Sequence, residues 1–283
     1  MTLQMQSAIS ARFLRPSAEA RHCSRSIKKK VSQGADVVLW QVLQGFDVSV
    51  EHALIWLGVL NHELLIRAVR PLLTGLDPVK LGPPVVFLLA TWLRRGPIPG
   101  RGGVLADSGL VLRGLLGISV ALAVGHLAQH AWPGRLRPFV ESPGVFPEVS
   151  GLAFLQDWGS FPSDHAVLAM ALAMATWAGS RLLGLLSAAW GIVFVCLPRI
   201  LFGLHYASDI LVGMAIGVAL PAMMFLAPLP AAFCTWQRRL DEHRPALVIL
   251  AMLLFGWEVI DVFQTARRLS MALWKVALQS GGA

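Results

Sequence analysis

The sequence predicts an all-α, polytopic transmembrane helical bundle of about six to seven crossings. Of its 283 residues, 55% are hydrophobic and 14% are charged, whereas soluble domains carry about 25% charged residues. Mean hydropathy is +0.63. The apolar residues gather into stretches approaching the roughly 20 that cross a bilayer as a helix. Backbone groups in lipid must be satisfied internally, so these stretches read as helices and not as open strands.

Residues 1–35 are rich in Arg, Lys and Ser, include Lys28-Lys29-Lys30, and have Glu19 as their one acid. No apolar core with a small-residue cleavage site follows, so a basic cytoplasmic or surface tail is the expectation. In 36–78, Trp40, Leu43, Phe46 and Val50 share a helical face, but Asp47, Glu51, His52, Glu63, Arg67 and Arg70 interrupt any span. Interfacial amphipathic helices fit this pattern, with at most one imperfect crossing. Clearer apolar stretches follow at 81–93, 104–128, 165–180, 182–197, 206–228 and 245–263. The first is interrupted by Gly82-Pro83-Pro84, which leaves its start unfixed. The expected organisation is a tail (1–35), a membrane-embedded core (36–230), and an added hydrophobic helix and tail (231–283).

The formal net charge is +8. Its basic residues lie in short runs between apolar stretches, the distribution of cytoplasmic loops and not of a nucleic-acid surface. Counting alternate crossings puts Arg94, Arg95 and Arg101, then Arg181, then Arg238, Arg239 and Arg244 on one side, which is therefore cytoplasmic. The three cysteines form no CxxC pair, so neither a disulfide framework nor a zinc site is expected.

The same count places three polar clusters together on the opposite, extracytoplasmic face. They are His130-x6-Arg137-Pro138, Pro162-Ser163-Asp164-His165 and Arg199-x5-His205-x3-Asp209. Ionisable groups in apolar segments are costly and usually mark function. Arg137 and Arg199 can each give bidentate hydrogen bonds to phosphate oxygens. Ser163 and His165 stand where a helix begins, a natural anion site, with Ser163 a donor and His165 able to protonate a departing oxygen. His205 and Asp209, four apart, would share one face of a helix, Asp209 orienting a nucleophilic imidazole. Each residue also has a plainer reading: snorkelling arginines, a helix cap at Ser163-Asp164, a structural His165, and a structural His205–Asp209 hydrogen bond.

At these residues the chain resembles the type 2 phosphatidic acid phosphatase superfamily, whose signature is K-x6-R-P, P-S-G-H and S-R-x5-H-x3-D. The resemblance covers roughly residues 80–228. It implies a metal-independent phosphatase, without cofactor, working through a phosphohistidine. His205 would then be the nucleophile, Asp209 its partner and His165 the general acid, with Arg137, Arg199 and Ser163 as phosphate ligands. The chain departs from the signature at three positions. His130 stands in place of lysine, so His130 or Arg135 would make that phosphate contact. Pro198 replaces serine, and Asp164 replaces glycine. The P-S-D-H form looks like the undecaprenyl pyrophosphate phosphatase branch, where Asp164 could keep His165 protonated. That branch implies a bacterial inner-membrane enzyme facing the periplasm or outside. Its substrate would be a lipid phosphate or pyrophosphate, and a homo-oligomer is compatible with it. The rivals are a phosphatase for phosphatidic acid, phosphatidylglycerol phosphate or lipid A, a lipid phosphotransferase, and a non-catalytic transporter or scaffold.

Overall fold

The computed structural model describes residues 35–74, 77–93, 108–131, 135–148, 159–228 and 230–261. The expected basic tail, the Arg94–Arg101 loop and the C-terminal stretch with Arg267 and Arg268 lie outside them. The described residues form helices joined by turns, with no strand among them. In chain order these are α1 (Ala35–Trp56), a 3-10 turn (Val59–Asn61), α2 (Glu63–Val69), α3 (Pro71–Thr74), α4 (Asp77–Trp92), α5 (Ser108–Ala131) and α6 (Pro138–Glu141). There follow α7 (Asp164–Gly179), α8 (Arg181–Trp190), a π-helical turn (Gly191–Cys196), α9 (Leu197–Leu201), α10 (Ala207–Leu226), α11 (Ala231–His243) and α12 (Pro245–Ile260).

Among the described residues, three continuous helical runs are long and apolar enough to cross a membrane: Gly109–Gln129, Arg181–Leu201 and Ala207–Leu226. The number rises to five if two bent helix pairs, Glu63–Leu73 with Pro78–Trp92 and Ala231–His243 with Pro245–Ile260, each count as one span. An all-helical architecture with several apolar helices able to cross a membrane is the one the sequence predicts. Helix α7, at 16 residues, reaches only about 24 Å and is not counted among them. Large apolar side chains such as Leu226, Leu253, Leu254 and Trp257 are more than half exposed, as lipid-facing positions require.

The chain divides into two compact units. The larger takes Pro71–Gly125, Asp164–Leu197 and Gly213–Ala283. Its centre is α7, buried on all sides from Ala166 to Ala173, as befits a helix apolar all round. Val167, Leu168 and Leu172 meet Leu81, Val85, Leu88 and Trp92 of α4, and Val248, Met252 and Val259 of α12 complete the core. Small residues let backbones approach closely. A Cβ on Gly217 would stand 2.3 Å from the Val167 carbonyl oxygen, and one on Gly117 would stand 2.8 Å from Pro221 Cα.

Helix α4 begins at Asp77, ahead of Gly82-Pro83-Pro84, and runs through both prolines. Proline in a helix interior removes the N–H that would bond to the carbonyl four residues back. For Pro83 and Pro84 those carbonyls belong to Val79 and Lys80. The Trp190 indole Nε1–H donates to both, at 3.2 and 3.1 Å. A side chain at the end of α8 thus replaces two missing backbone donors. Pro198 is accommodated differently: the widened π-helical turn directly precedes the helix that contains it, and such turns are commonly found at functional sites.

The smaller unit comprises Met1–Arg70, His126–Ser163 and Pro198–Val212. In α1 the residues turned away from solvent include Trp40, Leu43, Asp47, Val50 and Leu54. The sequence suggests Phe46 on this face, but Phe46 is 42% exposed while Asp47 is 3% exposed. The i, i+3, i+4 pattern passes through the carboxylate because its partners wait inside.

Candidate active site

The smaller unit brings together residues from all three polar clusters. After α9 the chain turns at Gly203, whose φ is +63°. This left-handed residue ends the helix, with Leu204 N and His205 N both donating to the Arg199 carbonyl at 2.9 and 3.3 Å. The turn is tight: a Cβ on Gly203 would lie 2.5 Å from Phe146 Cγ and 3.0 Å from Phe139 N. Phe139 N donates to the Gly203 carbonyl at 3.0 Å, locking this turn to the start of α6.

His205 therefore lies in the turn ahead of α10 and not on the helix, which corrects the shared helical face expected for His205 and Asp209. Asp209 sits in the first turn of α10, where Oδ2 accepts from Tyr206 N at 2.8 Å. This is the reach-back half of a capping box, satisfying a donor that a helix start leaves open. The His205 Nδ1–Asp209 Oδ2 separation is 3.9 Å, too long for a hydrogen bond. The nearer partner of Nδ1 is the carbonyl oxygen of Ser160, at 2.7 Å.

Those partners fix the protonation of the ring. A carbonyl can only accept, so Nδ1 carries a hydrogen. Nε2 lies 3.3 Å from Arg137 Nη1, and a guanidinium can only donate. The neutral Nδ1–H tautomer results, its Nε2 lone pair turned to a positive charge. The same Arg137 Nη1 donates to the Leu204 carbonyl at 2.7 Å, and Nη2 reaches Gly159 O at 3.4 Å. His205, Asp209, Arg137 and Arg199 are each 5% exposed or less. A cleft of about 10 Å³ adjoins His205, bordered by Asp47, Glu51, Pro138, Phe146 and Tyr206 among others, with space for about one water.

Ser163 directly precedes α7, and its backbone N donates to Asp209 O at 3.2 Å. Its Oγ is fully buried and finds no hydrogen-bond partner among the described residues. An unpaired buried hydroxyl is unfavourable, and it leaves a donor uncommitted.

Arg135 lies differently from a phosphate contact. Its Nη1 donates to Asp209 Oδ1 at 2.5 Å and to Ser208 Oγ at 2.8 Å, and its Nη2 to Asp47 Oδ2 at 2.5 Å. The guanidinium carbon is 3.8 Å from the centre of the Tyr206 ring and 4.8 Å from that of Trp40, within cation–π range. Asp47 in turn accepts from Ser208 N at 2.8 Å and Ser208 Oγ at 2.6 Å. Two carboxylates and one guanidinium thus share a buried cluster around the first turn of α10. Tyr206 donates its hydroxyl to Glu141. Burial first, and then the Glu141 charge, hold the Tyr206 phenol far above its usual pKa. Burial likewise raises Glu51, with Glu141 and Asp47 adding to the effect and His52 opposing it.

Asp164 and His165 belong to the larger unit. Asp164 Oδ1 accepts from His165 N at 2.8 Å and lies 2.7 Å from His165 Nδ1. The carboxylate that departs from the signature is therefore in contact with the histidine beside it. The side chain of His130 lies outside the described residues, although its backbone belongs to the last turn of α5. Sequence reading omitted Ser160, whose role comes from a backbone carbonyl, and it treated Asp47 as an interruption. The spacing of Asp47 from Trp40, Leu43 and Val50 was the available signal.

Residues 110–230 match the PAP2 superfamily, which supports the superfamily for this segment. Its members are phosphatases acting on phosphate esters, often lipids, so the match supports a phosphoric ester hydrolase. No curated protein and no solved structure matches the chain.

Proposed function

We propose that the chain is a membrane phosphatase that hydrolyses a lipid phosphate or pyrophosphate without a metal, through a phosphohistidine at His205. One observation carries this reading. The His205 ring is held by Ser160 O through Nδ1–H, and its Nε2 lone pair faces the Arg137 guanidinium. A nucleophile needs an available lone pair, and a phosphate needs positive charge beside the attacking atom.

In the proposed reaction Nε2 of His205 attacks phosphorus, and the bond to the leaving oxygen breaks. His165 supplies a proton to that oxygen. Water, giving its proton back to His165, then cleaves the P–N bond and releases inorganic phosphate. Arg137, Arg199 and the uncommitted Ser163 hydroxyl are the proposed ligands of the phosphoryl oxygens, with His130 a further candidate. Asp209 offers negative charge near Nδ1 as the ring becomes cationic. The Asp164–His165 contact supports a protonated acid at rest, since a carboxylate beside imidazole favours its charged form.

Undecaprenyl pyrophosphate is the substrate we favour, from the P-S-D-H form, with the site on the extracytoplasmic side of a bacterial inner membrane. Residues 231–283, beyond the matched segment, would be an addition to the catalytic core. The test is phosphate release by purified protein in detergent, without added metal, from undecaprenyl pyrophosphate, phosphatidic acid and phosphatidylglycerol phosphate. His205→Ala serves as control. Release from the first lipid that the variant abolishes is the expected result. Equal inactivity of both proteins on every lipid would favour a non-catalytic role, and label appearing on a second lipid would favour phosphoryl transfer.

A further inference from the structure

We infer that Asp47 is a positioning residue for this reaction: it holds the charge of Arg135 so that the carboxylate of Asp209 stays negative towards His205. The inference rests on the phosphohistidine reading and adds to it a residue of α1, outside the matched segment.

Both carboxylate oxygens of Asp47 are bound within the smaller unit. Oδ1 accepts from Ser208 N, and Oδ2 accepts from both Ser208 Oγ and Arg135 Nη2. The side chains of Arg135, Asp47 and Asp209 are 7%, 2% and 0% exposed. Solvent therefore screens little of their charge. Arg135 alone against Asp209 would make a neutral pair, and Asp209 would have no net charge to offer a cationic imidazole 3.9 Å away. With Asp47 on the other edge of the guanidinium, the three groups sum to one negative charge. Glu51 and Glu141 are the other acids near Asp47 and Tyr206, with His52 beside Glu51.

Arg135 does not orient Asp209 alone, because Tyr206 N holds the other carboxylate oxygen. Removing the Arg135 charge should therefore compensate for removing the Asp47 charge. A merely structural Asp47 would lower the unfolding temperature and leave kcat per folded molecule unchanged. The double variant also avoids leaving a buried guanidinium short of a partner, the costly outcome when half of an ion pair is deleted.

The experiment measures kcat and KM for p-nitrophenyl phosphate, which asks nothing of lipid specificity, in detergent-purified wild type, Asp47→Asn, Asp47→Asn/Arg135→Gln and His205→Ala. Thermal unfolding of each protein accompanies the kinetics. Asp47→Asn is expected to lower kcat about tenfold with KM within about twofold, a size set by one partly screened charge. The double variant is expected to recover to within about threefold of wild type. If Asp47→Asn does not fold, the double variant alone decides, by retaining or losing turnover. A wild-type kcat in Asp47→Asn, or a double variant no faster than the single one, overturns the inference while His205→Ala remains inactive. Wild type no faster than His205→Ala overturns the phosphohistidine reading itself, and the Asp47 role with it.

Discussion

The Nδ1–H of His205 is held by the backbone carbonyl of Ser160 at 2.7 Å, while Asp209, at 3.9 Å, stands beyond hydrogen-bond reach. Orientation and charge are thereby separated. In a Ser-His-Asp triad the carboxylate does both, and its amide replacement lowers kcat by about 10⁴ by favouring the wrong tautomer. Here Asp209→Asn leaves the tautomer in place. The expected loss in kcat is about 10- to 100-fold, with KM nearly unchanged. Steady-state kinetics on the purified variant check this, and a loss near 10⁴ would return orientation to Asp209.

Ser163→Ala separates stability from function. The hydroxyl is buried and unpaired among the described residues, so its removal should leave the unfolding temperature unchanged or raised. A lost hydrogen bond to a charged phosphate is worth about 1.5–3 kcal/mol, which corresponds to a rise in KM of at least about tenfold. Thermal unfolding in detergent and KM on the same preparation give both readings. A large fall in unfolding temperature would mean that the hydroxyl is structural.

Gly203→Ala should impair both folding and turnover. The positive φ costs a residue with a side chain about 1–3 kcal/mol, and the added Cβ meets Phe146 and the backbone of Phe139. A fall in unfolding temperature and a loss of activity are expected together, since the same turn carries His205. Unaltered unfolding would show that the turn relaxes freely.

Glu51 gives a pH dependence of known sign. Its folded pKa is raised from 4.5, first by burial, so the protonated form is the one the fold favours. Its contribution is therefore fully present below the unfolded pKa and is lost as pH rises through the folded value. Glu51→Gln should match wild type at low pH and exceed its stability at neutral pH. Unfolding temperatures measured across that range check this. A variant less stable than wild type at neutral pH would contradict it.

The hydrophobic helices were legible because a chain in lipid has few alternatives. The stretch 245–263 became Pro245–Ile260, and 206–228 became Ala207–Leu226. What was not legible depended on partners far along the chain. The start of α4 could not be read from Gly82-Pro83-Pro84, because the donor that replaces the lost backbone bonds is Trp190, 110 residues after Lys80. Asp47 looks like a break in an apolar face until Arg135, 88 residues on, is beside it. Of the three-cluster motif, Arg137, Ser163, Arg199, His205 and Asp209 fall in one unit and Asp164 and His165 in the other, and the spacing could not show that His205 leaves the helix. Gly203 was the signal for that, since glycine just past an apolar turn commonly ends a helix. Ser160 had no signal, because any residue would supply the carbonyl.

The indole of Trp190 has a bearing on how the chain is made. Val79 and Lys80 leave the ribosome some 110 residues before the side chain that will satisfy their carbonyls. Until then those two oxygens depend on water, so the first turns of α4 cannot settle into an apolar environment. The order of synthesis thus places a delay inside assembly, with α4 completed only when the end of α8 reaches it.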